Sequence, residues 1–299
     1  MINLLLAVTL STTWFIIFRL FRTFKVNIFP AVVINYCACV LTGVVVFGWE
    51  NTLGKLASAS PWLVYALMLG AFFISTFYLT AYSIEKIGVT LTTVSAKISL
   101  VLTVFVNLFV LESASKSFDF FNYSGIFFAI VAIVLSSIQP KNNDNIAEKS
   151  FWWLPLVVFS LTALVDISIS SIKAIYIQPE QSTLFTILTF ASAASIGVVI
   201  LSAQLVSKQV KMTQKEWIGG LALGVPNFFS LFYLLKTLED FKNDGAFLFP
   251  IFNIAIILAS SFIAVTLFKE KLSRLNVLGL ILAIFSIFLI AYQEILRYL

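Results

Sequence analysis

The chain has 299 residues, 60% of them hydrophobic and 11% charged, with a mean hydropathy of +1.02 and a formal charge of +5. Soluble domains carry roughly a quarter charged residues, so this composition excludes a soluble fold and points to a polytopic membrane protein. The 19 Lys and Arg are spread thinly between apolar runs, as topology signals are, which excludes a nucleic-acid-binding surface.

A membrane span needs about 20 apolar residues. Ten runs qualify: 2–20, 29–49, 61–80, 88–111, 120–138, 151–175, 182–206, 216–235, 245–268 and 274–293. The first follows Met1 with no basic residue before it and ends in RLFRTFK at 19–25. A signal peptide has the opposite order of charges and a small-residue cleavage site, so this run reads as a retained span. The second run holds Cys37 and Cys39. Residues two apart point to different faces of a helix and cannot bridge locally, so both read as small packing residues.

The fourth run carries Lys97 near its middle, with Thr90 and Thr93 on the same helical face. The stem of a lysine is too short to bring its ammonium fully to the surface from there, and an unpaired charge at that depth costs about 2.5–3.5 kcal/mol. The polar stretch QPKNNDNIAEKS at 139–150 then divides the chain nearly in half. In the sixth run Thr162, Asp166, Ser170 and Lys173 follow a helical spacing and form one polar stripe, with Asp166 as the natural partner for Lys97. The eighth run contains PNFFS at 226–230 and the ninth FPIFN at 249–253. Pro226 and Pro250 predict kinked or broken helices there, in the same segments as Asn227 and Asn253. Asn35, Asn107, Ser11, Thr12 and Tyr233 are weaker polar candidates, since a lone hydroxyl in a span usually bonds its own helix.

The halves resemble each other. PWLVYALMLG at 61–70 is answered by EWIGGLALG at 216–224, and STFYL at 75–79 by SLFYL at 230–234. Arg19 pairs with Lys173, Gly43 with Gly197, and Gly125 and Ala129 with Gly279 and Ala283, all at an offset of 154 or 155. Five spans is an odd number, so the second repeat enters from the opposite side of the membrane and the halves are inverted. Secondary transporters are built this way, with the substrate site near the midplane. The expected architecture is therefore all-α: residues 1–140 as one five-helix repeat, 141–150 as a linker, and 151–299 as the second repeat around a central cavity. Gly125 with Ala129, Gly279 with Ala283, and Ala193 with Gly197 are small-residue pairs for close helix packing, within the chain or in a homodimer. Twelve Lys and Arg follow odd-numbered spans and six lie on the other side, which places both termini outside the cytoplasm.

Soluble-enzyme chemistry is not written here. The chain has no histidine, and no Gly-rich phosphate loop, metal-ligand cluster or nucleophile triad is present. The expectation is no catalytic residue, no metal, no cofactor, and energy taken from a gradient.

Two segments narrow the class. TLFKEKLSRLNVLGLILAIFSIFLI at 266–290, with Glu270 and Gly279, resembles the last two spans of EamA-type members of the drug/metabolite transporter superfamily. VLESASKSFDFFNYSGIFFAI at 110–130, with Glu112 and Gly125, is a looser version with a loop four residues longer, and FYLTAYSIEKIG at 77–88 resembles the family's exit from the third span. The resemblance implies a bundle whose cavity is lined by spans 1, 3, 4, 6, 8 and 9, and transport of amino acids, sugars, other metabolites or drugs. Family members commonly keep both termini in the cytoplasm, the reverse of the charge count.

These readings converge on a secondary-active transporter of a small organic solute, an amino acid or similar metabolite, working by alternating access in the direction of export. The expected location is the bacterial inner (plasma) membrane, with the lipid bilayer and a proton or other coupling ion as partners. Lys97, Asp166, Asn227, Asn253, Thr93 and Ser170 are the expected substrate-binding or coupling residues. The alternative is a non-transporting membrane scaffold or sensor, in which the same residues pack without a cavity. A membrane-embedded enzyme is disfavoured by the lack of His and the scarcity of carboxylates inside spans.

Overall fold

The computed structural model describes residues 2–48, 62–103, 119–137, 151–177, 181–241 and 245–298. The linker 141–150, Asn107, Glu112 and the end of the fourth apolar run lie outside the described residues. Among the described residues the fold is all-helical, with ten helices in chain order. They are α1 (Ile2–Phe24), α2 (Ile28–Phe47), α3 (Leu63–Ile87), α4 (Val89–Ile98), α5 (Phe120–Ser137), α6 (Leu154–Tyr176), α7 (Ser182–Val206), α8 (Gln214–Asp240), α9 (Gly245–Thr266) and α10 (Arg274–Tyr298). By length and composition α1, α2, α3, α7 and α8 are long and apolar enough to cross a membrane. In α1 three hydroxyls bond their own helix: Thr9, Thr12 and Thr13 donate to the carbonyls of Leu5, Val8 and Thr9 at 2.8 Å each.

The chain forms two compact units. Met1–Ala81 and Ser168–Asn243 make one, Tyr82–Ile167 and Asp244–Leu299 the other. Each draws helices from both halves of the sequence. In the first unit α8 packs on α1 and α2, and α7 on α2 and α8. Phenylalanine fills it: Phe77 lies 5.0 Å from Trp14, 5.5 Å from Phe18 and 5.6 Å from Tyr36 between ring centres, and Phe73 meets Phe190 edge-on at 5.7 Å. The Tyr36 hydroxyl, fully buried, donates to the Phe73 carbonyl at 2.8 Å. In the second unit α10 packs along α5, and α4 contacts α9, α5 and α10.

Inside each unit, contacts recur with the partners exchanged and both residue numbers shifted by 154. A Cβ built on Gly70 would stand 2.5 Å from Ser192, and one on Gly224 2.4 Å from Ala38. Gly43 faces Ile187 as Gly197 faces Val33. Trp62 Nε1 donates to Gln181 Oε1 at 3.2 Å, while Asn27 N donates to Glu216 Oε1 at 3.0 Å. In the second unit Asn122 Nδ2 donates to Leu289 O at 3.4 Å, and Asn276 Nδ2 to Leu135 O at 3.3 Å. The caps of α5 and α10 match as well: Asp119 N donates to Asn122 Oδ1, and Ser273 N to Asn276 Oδ1, both at 3.1 Å.

One expectation is corrected. The eighth helix is not broken at Pro226, because α8 runs from Gln214 to Asp240 with the proline inside it. Near the proline the Cys39 thiol donates to Gly224 O at 3.3 Å, and Ser230 Oγ to Asn227 O at 2.8 Å. Helix α9 likewise continues through position 250. In the fourth apolar run the helical bonding lapses at one residue, Ser99, whose φ of −51° and ψ of −23° remain helical, and helix continues over 100–103.

Candidate functional site

Ser99 lies two residues after Lys97 on α4's C-terminal side. Helix α3 ends at Ile87 and α4 begins at Val89, so Gly88 alone joins them. Its φ of +95° lies in the left-handed region, which glycine enters without steric cost. From this corner α4 runs only ten residues, Val89 to Ile98. At Ser99 the side chain competes with the helix: Oγ donates to Ala96 O at 2.6 Å and to Asp166 Oδ2 at 3.2 Å. A hydroxyl has one proton to give, so Ser99 divides it between holding its own turn and meeting the carboxylate of α6.

Lys97 and Asp166 are both half-buried and within electrostatic reach of each other. The Lys97 ammonium stands over the Phe252 ring, 5.3 Å from its centre, in a cation–π contact. Its own carbonyl accepts from Asn253 Nδ2 at 3.3 Å. Residues 97, 99, 166, 252 and 253 thus meet where α4, α6 and α9 come together inside the second unit. Thr90 and Thr93 continue the Lys97 face toward the start of α4. Both are buried, and among the described residues neither hydroxyl has a hydrogen-bond partner. A face carrying an ammonium and two spare hydroxyl donors suits an oxyanion, and Asp166 supplies the opposite charge nearby.

The remaining sequence candidates fall elsewhere. Asn227 belongs to the first unit, where it is buried and donates to Asn35 Oδ1 at 3.2 Å; the Asn35 amide nitrogen has no partner among the described residues. Ser170 lies in α6 beyond the unit boundary after Ile167, and its side chain is outside the described residues. Sequence reasoning missed Ser99 and Phe252. Ser99 carries no proline signal, and only the run of small hydroxyl residues Thr92, Thr93, Ser95 and Ser99 marks that stretch. Among the described residues no group of three or more His, Cys, Asp or Glu side chains is placed to hold a metal ion.

No family model matches the chain. It is 24% identical over 299 residues, 98% of each chain, to an uncharacterized protein of Haemophilus influenzae. A solved structure, described only as the crystal structure of a protein, covers 99% of this chain and 97% of its own at 13% identity, with a TM-score of 0.60. That likeness concerns the fold alone.

Proposed function

We propose that the chain is a multi-pass membrane transporter of a small organic solute that works by alternating access, built from ten spans as two inverted five-helix repeats of the EamA type. The observation that carries this reading is the oppositely charged pair Lys97 and Asp166, set among apolar helices with Ser99 bonded to the Asp166 carboxylate. Ionisable groups inside membrane helices are expensive and mark solute or ion pathways. The exchanged contacts at the 154-residue offset support the inverted repeat. A residue that meets another's counterpart, and is met in return, is what two-fold-related segments produce.

In this reading Lys97 binds an anionic group of the solute, such as the carboxylate of an amino acid, with Thr93 as a further donor. Asp166 neutralises Lys97 when no solute is bound, or carries a proton during coupling. Asn253 holds the Lys97 carbonyl and so fixes the local backbone. The test is solute-dependent thermal stabilisation of the purified protein across amino acids, sugars, organic acids and amines, with Lys97→Met run beside it. Stabilisation by a carboxylate-bearing compound that disappears in Lys97→Met supports the assignment. Stabilisation that survives the substitution moves the site elsewhere and leaves Lys97 a structural partner of Asp166.

A further inference from the structure

We infer that Glu270 is a positioning residue for Lys97: from the segment between α9 and α10 its carboxylate fixes the start of α4, while Asn253 of α9 fixes its end. The inference rests on the reading of Lys97 as the solute-binding group.

The Glu270 carboxylate accepts from Val89 N at 2.7 Å and from Thr90 N at 3.2 Å. These are first-turn amides of α4, which have no partners within their own helix. A carboxylate is well suited to the place, since one oxygen meets each amide and the charge faces the positive end of the helix dipole. The fit is close. A Cβ on Gly88 would stand 2.9 Å from Glu270 Oε1, so the glycine is needed for the space as well as for its φ of +95°. Glu270 is itself held, its amide donating to Ala264 O at 3.1 Å.

The stretch from Val89 to Ile98 is about 15 Å long. What holds it decides where its side chains sit. At its start is the Gly88 corner with the Glu270 carboxylate against it. Further along, Asn253 Nδ2 donates to the Lys97 carbonyl. Both contacts come from α9 or the segment directly after it. Lys97 lies eight residues after Val89 and two before Ser99. Glu216 plays a similar capping part, accepting from Asn27 N at the start of α2. That helix carries none of the charged site residues.

The experiment uses the full chain in detergent and needs no solute. Amide hydrogen exchange is read at the start of α4 in wild type, Glu270→Gln, Gly88→Ala and the double variant. In parallel, the same changes are placed in a Lys97→Cys protein with Cys37→Ser and Cys39→Ala, and N-ethylmaleimide labelling of position 97 is timed. Glu270→Gln keeps the shape and loses the charge, whereas Gly88→Ala pushes the intact carboxylate away. Exchange at Val89 and Thr90 rises about tenfold in each, the ratio corresponding to about 1.4 kcal/mol. Labelling at 97 changes severalfold in each, and Glu270→Gln adds little in the Gly88→Ala background, where the carboxylate is already displaced. Faster exchange with unchanged labelling would overturn the proposal and leave Glu270 a helix cap only. A labelling change in Glu270→Gln that Gly88→Ala does not share would overturn it too. Solute binding that survives Lys97→Met would sink the site assignment and leave the positioning result standing.

Discussion

Gly224→Ala tests the helix packing of the first unit at its closest point. The new methyl group would stand 2.4 Å from the Ala38 Cβ and 2.7 Å from the Asn35 carbonyl oxygen. Ordinary contact starts near 3.4 Å, so α8 and α2 must part by about 1 Å. The carbonyl belongs to the backbone and has no rotamer by which to move aside. Overpacking of this kind costs about 1–3 kcal/mol. Alanine returns at most about 1 kcal/mol through its better helix propensity; with an unyielding backbone contact placing the cost at the upper end, about 2–3 kcal/mol, a net loss of about 1–2 kcal/mol is expected. The exchanged contact gives an independent arm. In Gly70→Ala the methyl group meets Ser192 at 2.5 Å and Ala193 N at 2.7 Å, and Ser192 is held there by its bond to Leu67 O at 2.7 Å. The two variants should therefore lose similar stability. Ala38→Gly in the Gly224→Ala protein should restore part of the loss, because the Asn35 carbonyl remains. Thermal unfolding of the purified proteins in detergent, followed by thiol-reactive dye or size exclusion, reads all four. Gly224→Ala at or above wild-type stability would refute the close approach of α2 and α8.

The caps of the helices give further checks. Glu216→Ala removes an acceptor from Asn27 N at 3.0 Å, Thr213 N at 2.7 Å and the Thr213 hydroxyl at 2.5 Å. It should cost about 1–3 kcal/mol in the same unfolding assay, and Glu216→Gln distinctly less. Asn122→Ala and Asn276→Ala each remove one capping carboxamide and its bond across to the other helix, so each should cost about 1–2 kcal/mol. Similar losses support the exchanged contacts of α5 and α10, whereas a loss confined to one variant would speak against them. Asn253→Ala frees the Lys97 carbonyl and should weaken solute-dependent stabilisation more than it lowers the unfolding temperature of the solute-free protein. Equal effects on both would make Asn253 a packing residue.

Apolar run length located most of the helices to within about two turns, because burial and hydrocarbon impose the same demand along a whole span; the end of the fourth run lies outside the described residues. The 154-residue offset of the exchanged contacts was legible too, as a match between similar segments. Its consequence in packing was not. Gly70 and Gly224 read as matching glycines, but nothing in either segment names Ser192 and Ala38 as what they face. The compact units likewise mix α1 and α2 with α7 and α8, a pairing set by side-chain fit between distant segments. Pro226 fits either a kinked or a broken helix in the sequence, and the structure holds a continuous α8 through it. Ser99 gives no signal of its own in the sequence, since its second acceptor, Asp166, lies on α6. Glu270 and Glu216 are a motif residue and an ordinary charge at a span end in the sequence. Their capping of α4 and α2 depends on helix starts brought to them by the fold.

Flux is the most direct test of the central claim. The protein and its Lys97→Met variant are reconstituted into liposomes, and entry of the radiolabelled carboxylate-bearing solute from the stabilisation screen is timed under an imposed proton gradient. Saturable flux in the wild type, lost in a Lys97→Met protein that reconstitutes and unfolds like wild type, is the predicted result. Equal flux in both proteins would contradict the account.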